Sequence, residues 1–497
     1  MQLIAKLSRT MDRATDALRG VFRSDGRGLP RTPCSEQDVQ AARMLQHSRA
    51  ALSAGDFGTA LGHLSPLLQQ GGGDVSHALL LDAHLLKHDA LFKQGRPEQA
   101  RDALDQAEQI GGNDFRIALR RGTSCLYRGR YEQGLAILGT IDPDSPHAGN
   151  NDIVMLQAEL LCRAGQSQAA ASNLMAHFGG RAGNLALKEQ EFIAIRRCIT
   201  SEDQLREIGD WLVSACRHDP GQLSSALRHY SMAARDLELY EKALDAICRR
   251  LELASKLQPR PPQGKPASKQ NWARLAGAAL LDLRHDLDAQ GIDIFLISGT
   301  LLGCIREGKI LGHDKDIDVG VFETTDIDRL SEVLRSTGRF KELPVSKGRV
   351  LRFKHANGVM IDVFVHFREK DLIWHQGQKS TWWNSEFGLA STDFLGASFK
   401  IPSPADRYLL ENYGDWRTPA PDFETFTDTP NMVASDPREL SWYYLKILPD
   451  YFQTGHEARF NRVCSALEGI IDMDKQTLEA IETMRSKLRS FGLARPH

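Results

Sequence analysis

The stretch SGTLLGCIREGKILGHDKDIDVG, residues 298–320, decides the fold of the second half of the chain. It follows the β-forming run IDIFLI at 292–297, so a strand leads directly into a serine and a glycine. Near its end, Asp316-Ile317-Asp318-Val319 alternates polar and apolar residues as a half-buried strand does, which places both carboxylates on one face. The stretch therefore predicts a strand, a turn with a helix, and a second strand carrying paired acids.

The turn after the first strand has the composition of a phosphate-binding site. Ser298 and Gly299 precede the helical run TLLGCIR, which begins at Thr300. The first N–H groups of a helix have no intrahelical partner and point toward any anion placed there. We expect these three residues to contact a phosphate, although the same dipeptide is common in ordinary turns.

The paired carboxylates need a compensating charge. Two ionised carboxylates held together disfavour each other unless a cation lies between them. Mg²⁺ or Mn²⁺, which bind oxygen ligands, would neutralise the paired carboxylates. A third acid, Asp362, is the only one in the strongly β-forming run GVMIDVFVHF at 358–367. A shared metal is one explanation for it, and a salt bridge to Arg352 or Lys354 on the preceding strand is the other.

The first half of the chain repeats one phrase. AGDFGTALGHL around Gly55 recurs as QGRPEQARDAL around Gly95, RGRYEQGLAIL around Gly129 and AGQSQAAASNL around Gly165. The steps are close to the ~34-residue period of helix-turn-helix repeats. This all-α array over residues 36–255 resembles the tetratricopeptide repeat (TPR). The resemblance implies a concave surface for a protein partner, or a solenoid that only holds a neighbouring domain.

The remaining boundaries follow from composition. Residues 1–35 predict a basic amphipathic helix, which could contact an anionic membrane surface through residues 1–31 or pack on the array. Residues 256–271 contain four prolines and form a linker. Residues 272–420 carry the acids and form an α+β domain, and residues 421–497 form a helical extension without recognisable chemistry.

The composition of the chain argues against several classes of protein. The chain is 41% hydrophobic and 25% charged, and its formal charge of -2 argues against binding nucleic acid over its whole surface. The eight cysteines form no C-x-x-C pair, as is typical of reduced thiols in a cytosolic protein. No apolar run approaches the about 20 residues needed to span a bilayer, and no signal peptide is evident. We expect a cytoplasmic protein, either free or peripheral to the inner face of the membrane.

Three phrases together resemble the LicD/fukutin family of phosphotransferases, whose core is similar to the nucleotidyltransferase fold. They are the run from Gly291 to Val321, the strand at 358–367, and IPSPADRYLLENYGDWRTP at 401–419. The resemblance implies that Asp316, Asp318 and Asp362 are catalytic and hold a divalent metal. It also implies that the donor phosphates lie near Ser298, Gly299, Thr300 and Arg306. Candidate substrate contacts are Asp314, Lys315, Arg352 and Trp382. Lys315 departs from the family, where an additional acid is frequent at this position.

The resemblance also implies an activity. The family suggests transfer of a phosphorylated small alcohol, of phosphocholine, ribitol phosphate or glycerol phosphate type, from a CDP-activated donor to a hydroxyl of a cell-surface glycan. A nucleotidyltransferase that moves the NMP itself is the enzymatic alternative, because one fold supports both reactions. A TPR scaffold with an inactive second domain is the alternative from another class.

Overall fold

The computed structural model describes residues 35–69, 75–179, 185–259, 269–345, 349–420, 423–468, 470 and 473–493. The expected N-terminal amphipathic helix and the central part of the proline-rich linker lie outside these residues. The described chain consists of a helical region followed by a mixed α/β domain. No helix among the described residues is both long and apolar enough to cross a bilayer.

The helical region, residues 36–255, is called the helical array below. Its helices run mostly as antiparallel neighbours joined by short turns, with one π-helical turn at Leu205–Gly209. In chain order they are α1 Glu36–Ser53, α2 Phe57–Gln69, α3 His77–Lys93, α4 Pro97–Gly111, α5 Phe115–Tyr127, α6 Tyr131–Leu138, α7 Asn151–Arg163, α8 Ser167–Gly179, α9 Glu189–Arg197, α10 Glu202–Gln204, α11 Asp210–Ala215, α12 Pro220–Asp236 and α13 Tyr240–Ser255.

The repeated glycines lie in the turns between paired helices. Gly55, Gly95, Gly129 and Gly165 have φ of 74°, 71°, 69° and 76°, a left-handed conformation that glycine adopts without a steric penalty. A degenerate fifth copy of the phrase, LELYEKALDAI at 237–247, has Glu238 at φ 63° in the same place. The small residues five positions after each glycine are buried: Ala60, Ala100, Gly134 and Ala170.

The α/β domain is built on one mixed sheet. The strands are β1 Phe295–Leu296, β2 Asp316–Phe322, β3 Phe340–Leu343, β4 Val350–His355, β5 Met360–Glu369, β6 Leu372–Gln376, β7 Ser380–Ser385, β8 Gly388–Phe394, β9 Ala397–Ser403 and β10 Met432–Ala434. The strand order is β10-β7-β6-β5-β2-β1-β9-β8, and β4 pairs with both β5 and β3. Its helices are α14 Lys269–Asp288, α15 Ser298–Leu302, α16 Ile327–Thr337, α17 Ala405–Tyr413 and α18 Thr425–Asp428.

The two faces of the central strands β2 and β5 carry different kinds of side chain. β2 and β5 are parallel, and Asp318 is directly opposite Asp362 across the pair. One face of these strands carries the buried aliphatic residues Ile317, Val319, Val321, Ile361, Val363 and Val365. The alternation therefore directs Asp316, Asp318 and Asp362 to the other face.

The C-terminal segment packs on the helical array and also completes the sheet. Its helices are α19 Pro437–Thr454, α20 Glu457–Glu468 and α21 Lys475–Leu493. Trp442, Phe452 and Phe460 are buried in one hydrophobic core with the last helices of the array. β10, from the same segment, pairs with β7. The described part of this segment thus connects the array to the sheet.

The turns of the helical array contact the α/β domain. The guanidinium of Arg339 donates to the carbonyl oxygen of Gly95 at 2.7 Å, and Arg274 donates to that of Gly55. Further along, the ammonium of Lys341 lies 2.9 Å from a carboxylate oxygen of Glu159. This edge of the array is therefore covered by the second domain.

Candidate active site

Three carboxylates meet at the ends of β2 and β5. One carboxylate oxygen from each of Asp316, Asp318 and Asp362 lies within 4.8 Å of the others. Asp362 is 4% exposed, and the other two are half-buried. The parallel register creates this cluster, because it aligns the alternating acids of β2 with Asp362 of β5.

The cluster holds more negative charge than its surroundings neutralise. Burial raises the pKa of Asp316 to about 6, and the charges of Asp314 and Asp362 add to the rise. Burial also raises the pKa of Asp318 well above its usual value, with Asp316 as the next cause. Three oxygen donors with unfavourable mutual repulsion fit a hard divalent cation.

Arg352 supplies part of the compensation. Its Nε donates to Oδ1 of Asp362 at 2.7 Å, and its Nη2 donates to the other carboxylate oxygen. Arg352 is directly opposite Asp362 across β4 and β5, whereas Lys354 is opposite Met360. The salt bridge considered as an alternative to a shared metal is therefore formed with Arg352. One guanidinium cannot balance three carboxylates, so the two explanations are compatible.

α15 begins at Ser298 rather than at Thr300 as predicted, and its first turn, Ser298–Thr300, lies directly beside the acids. Ser298 has φ of 48°, and a Cβ built on Gly299 would come within 2.3 Å of a carboxylate oxygen of Asp314. The hydroxyl of Thr300, which is buried, accepts a hydrogen bond from the backbone N–H of Asp318 at 3.0 Å. Thr300 therefore joins the turn to β2. A phosphate beside Gly299 would face Asp314, which again requires a cation between them.

Three other predicted site residues have different surroundings. Arg306 donates to the carbonyl oxygen of Trp416 at 3.1 Å, so its guanidinium ties the turn after α15 to the segment after α17. Lys315 is exposed. Trp382 lies on the carboxylate face of the sheet, but its ring stacks on buried His375 with centroids 5.2 Å apart. None of these contacts involves the three acids.

Sequence reasoning missed two groups near the cluster. Tyr413, at the end of α17, has its pKa raised well above the usual value by burial and then by the charges of Asp318 and Asp314. Its position in the family-like phrase at 401–419 was the available signal. The other group is Lys379, whose hairpin turn gave no signal because nothing in the sequence indicates what it approaches.

Comparison with known proteins identifies the domain that carries these residues. Residues 291–404 match the family model described as LicD/FKTN/FKRP, nucleotidyltransferase domain. The chain contains a LicD domain. The match confirms the resemblance read from the sequence, and this domain holds all three carboxylates, the Ser298–Thr300 turn and Arg352. Tyr413 and the helical array lie outside the match.

The LicD domain has curated relatives. The mouse protein (Mus musculus) "Ribitol-5-phosphate transferase FKTN" is 27% identical over 169 residues, covering 32% of this chain and 35% of the relative. The human protein (Homo sapiens) of the same name is 27% identical over 156 residues, covering 29% of this chain and 34% of the relative. The chain thus spans about a third of the length of the curated relatives it matches.

Proposed function

We propose that this chain is a metal-dependent phosphotransferase. It moves a phosphorylated small alcohol from a CDP-activated donor to a hydroxyl of a glycan. The observation that carries the proposal is the cluster of three carboxylates within 4.8 Å of one another. The name of the relatives, ribitol-5-phosphate transferase, favours ribitol phosphate over phosphocholine or glycerol phosphate as the transferred group.

Asp316, Asp318 and Asp362 would hold the metal, Mg²⁺ or Mn²⁺. When bound, such a cation neutralises charge on the donor phosphate oxygens and lowers the barrier for attack on phosphorus. The site residues fit this ion because all three offer oxygen and because burial and neighbouring carboxylates raise the pKa values of Asp316 and Asp318.

The transfer step needs no covalent enzyme intermediate. An oxygen of the acceptor hydroxyl attacks the phosphorus on the alcohol side of the diphosphate, and the bond from that phosphorus to the bridging oxygen breaks. CMP leaves with the electron pair, and the hydroxyl proton passes to Asp362. Arg352 fixes the orientation of Asp362 through two hydrogen bonds, and the carboxylate keeps further lone pairs for the hydroxyl.

Ser298, Gly299 and Thr300 are the proposed donor-phosphate contacts. The hydrogen bond between Thr300 and Asp318 supports this, because it places the first turn of α15 beside the clustered acids. The helical array, which we propose to be TPR-like, would hold the LicD domain through its turns. A protein partner could use the rest of its surface.

The choice of donor tests the reaction type. The protein is incubated with CDP-ribitol, CDP-glycerol, CDP-choline and plain nucleoside triphosphates, and the products are identified by mass spectrometry. Transfer of a phosphorylated alcohol supports the proposal, whereas nucleotidylated products alone would replace it with the nucleotidyltransferase alternative. Metal titrations that give the same heat for wild type and for Asp316→Ala/Asp318→Ala would favour the inactive scaffold.

Location is a separate proposal. We propose a cytoplasmic protein with peripheral membrane contact through residues 1–31. Co-sedimentation with anionic liposomes, using chains with and without residues 1–31, measures this contact directly. Equal binding of both chains would contradict the proposed membrane contact.

A further inference from the structure

Two cysteines of the helical array bring their sulfur atoms into contact. Cys162 lies near the end of α7, and Cys198 directly follows α9. Their Sγ atoms are 3.5 Å apart, so that one thiol donates a hydrogen bond to the other. Among the described cysteines, no other two sulfur atoms form such a contact. These two residues are called the thiol pair below.

The two thiols differ in their access to solvent. Cys162 is partly exposed, whereas Cys198 is fully buried, with its Sγ 3.4 Å from the carbonyl oxygen of Ala194. A small oxidant therefore reaches the sulfur of Cys162 first. Cys198 lies directly behind it, which is the position of a thiol that attacks a neighbouring sulfur after that sulfur has been oxidised.

The surroundings of Cys162 favour its ionised form. The hydrogen bond from Cys198 is the largest cause that lowers the pKa of Cys162. The charges of Arg197 and Arg163 lower this pKa further, against the opposing effects of burial and of Glu159. The thiolate is the nucleophile in thiol oxidation, so these groups make Cys162 the more reactive member of the pair.

We propose that Cys162 and Cys198 form a reversible disulfide in response to a hydroperoxide. The Cys162 thiolate attacks one oxygen of the hydroperoxide, the O–O bond breaks, and the other oxygen leaves with a proton as water or an alcohol. The sulfur of Cys198 then attacks the resulting sulfenic acid, the S–O bond breaks, and hydroxide leaves with the Cys198 proton as water. In total, the two thiols lose two electrons and two protons, and the hydroperoxide is reduced.

The thiol pair lies where the array holds the LicD domain. Glu159, one helical turn before the first cysteine, accepts from the ammonium of Lys341 on β3 at 2.9 Å and from Arg197 at 3.1 Å. Arg163 donates to the backbone carbonyl oxygen of Glu342, which is also on β3. A disulfide requires sulfur atoms about 2 Å apart, so its closure draws α7 and α9 together at this contact. We expect the closed disulfide to restrain both helices and, through them, β3.

The first test is a disulfide map of the full-length chain. Reduced protein is treated with hydrogen peroxide, its remaining thiols are alkylated in denaturant, and a non-reduced digest is analysed by mass spectrometry. We expect a cross-linked peptide pair that contains Cys162 and Cys198 and that disappears on treatment with dithiothreitol. The absence of this cross-link, or cross-links spread over several cysteines, would overturn the proposal.

The matched control is Cys216→Ala. Cys216 is also a buried thiol of the array, and burial raises its pKa to about 11. The variant should form the cross-link between Cys162 and Cys198 to the same extent as wild type. Loss of the cross-link in Cys216→Ala would contradict a reaction confined to the thiol pair.

Two single variants distinguish a reactive pair from two thiols that only fill the core. Cys198→Ala, which removes the second sulfur, should accumulate a sulfenic acid on Cys162 that dimedone traps. Cys162→Ser should leave Cys198 unmodified at the same peroxide concentration, because Cys198 is buried. Equal trapping in both variants would contradict the assigned order of attack, and trapping in neither would show that the pair is unreactive.

Hydrogen exchange measured by mass spectrometry tests the effect on the array. In oxidised wild type, the backbone amides of α7, α9 and β3 should exchange on the order of tenfold more slowly than in the reduced protein, since a cross-link restricts local opening. The amides of α1, at the other end of the array, should exchange equally in both states. Unchanged exchange in α7, α9 and β3 would contradict the proposed restraint.

Discussion

The uncompensated carboxylates predict that the metal-free protein becomes less stable as pH rises. Asp316 has its pKa raised from 3.8 to about 6 in the folded state. Between these values the folded protein binds more protons than the unfolded chain, so the free energy of unfolding falls with increasing pH. The shift corresponds to about 3 kcal/mol, because each pH unit contributes about 1.4 kcal/mol.

Replacing one of the buried acids should remove much of this loss of stability at high pH. Asp318→Asn removes a carboxyl whose own pKa is raised well above its usual value by burial and by the charge of Asp316. The metal-free variant should therefore be more stable than wild type at pH 7.5 by about 1–3 kcal/mol and nearly equal to it at pH 4.5. Mn²⁺ should then stabilise wild type but not the variant.

The assay is thermal unfolding in EDTA and in Mn²⁺, at both pH values. For a domain of this size, 1 kcal/mol moves the midpoint by about 2–4 °C. Asp371→Asn, at an exposed acid in the turn between β5 and β6, is the control and should change nothing. A destabilised Asp318→Asn in EDTA at pH 7.5 would refute the reasoning, because it would mean that the acid makes a net favourable contact without metal.

Three further substitutions test the parts of the site separately. Arg352→Met should destabilise the metal-free protein by about 1–3 kcal/mol, because buried Asp362 loses its partner, and Mn²⁺ should restore part of the loss in the same unfolding assay. A Mn²⁺ effect equal to that on wild type would argue that Asp362 does not bind the ion. Gly299→Ala should weaken CDP-ribitol binding at least tenfold, because its Cβ would meet the Asp314 carboxylate at 2.3 Å; Gly388→Ala, whose Cβ meets nothing within 4 Å, should bind the donor as wild type does. Thr300→Val should cost about 1–2 kcal/mol by leaving the Asp318 N–H without its acceptor, whereas Thr300→Ser should restore the loss.

Local patterns predicted much of the LicD domain. The alternation in Asp316–Val319 and the apolar run around Asp362 each indicated a strand, and the two strands are central neighbours in the sheet. The sequence could not indicate whether Asp362 pairs with Arg352 or contributes to a shared ion, since both need the same face of β5. The structure contains the first contact and leaves space for the second.

Long-range packing explains what the sequence did not predict. Arg306 is near the turn in sequence, but its guanidinium contacts the carbonyl of Trp416, which follows α17. The C-terminal helices were predicted as a helical extension, yet their sequence does not identify the surface on which they pack. Their packing on the array is what brings Lys446 to the hairpin of Lys379.

The most direct test of the account is the position of bond cleavage in CDP-ribitol. Slow hydrolysis in ¹⁸O-labelled water with Mn²⁺ uses water in place of the acceptor hydroxyl, and mass spectrometry locates the label. We predict ¹⁸O in ribitol phosphate and none in CMP, with the reaction lost in Asp316→Asn. Label in CMP would mean attack on the nucleotide phosphorus, and equal turnover by Asp316→Asn would mean that the three carboxylates are not the catalytic centre.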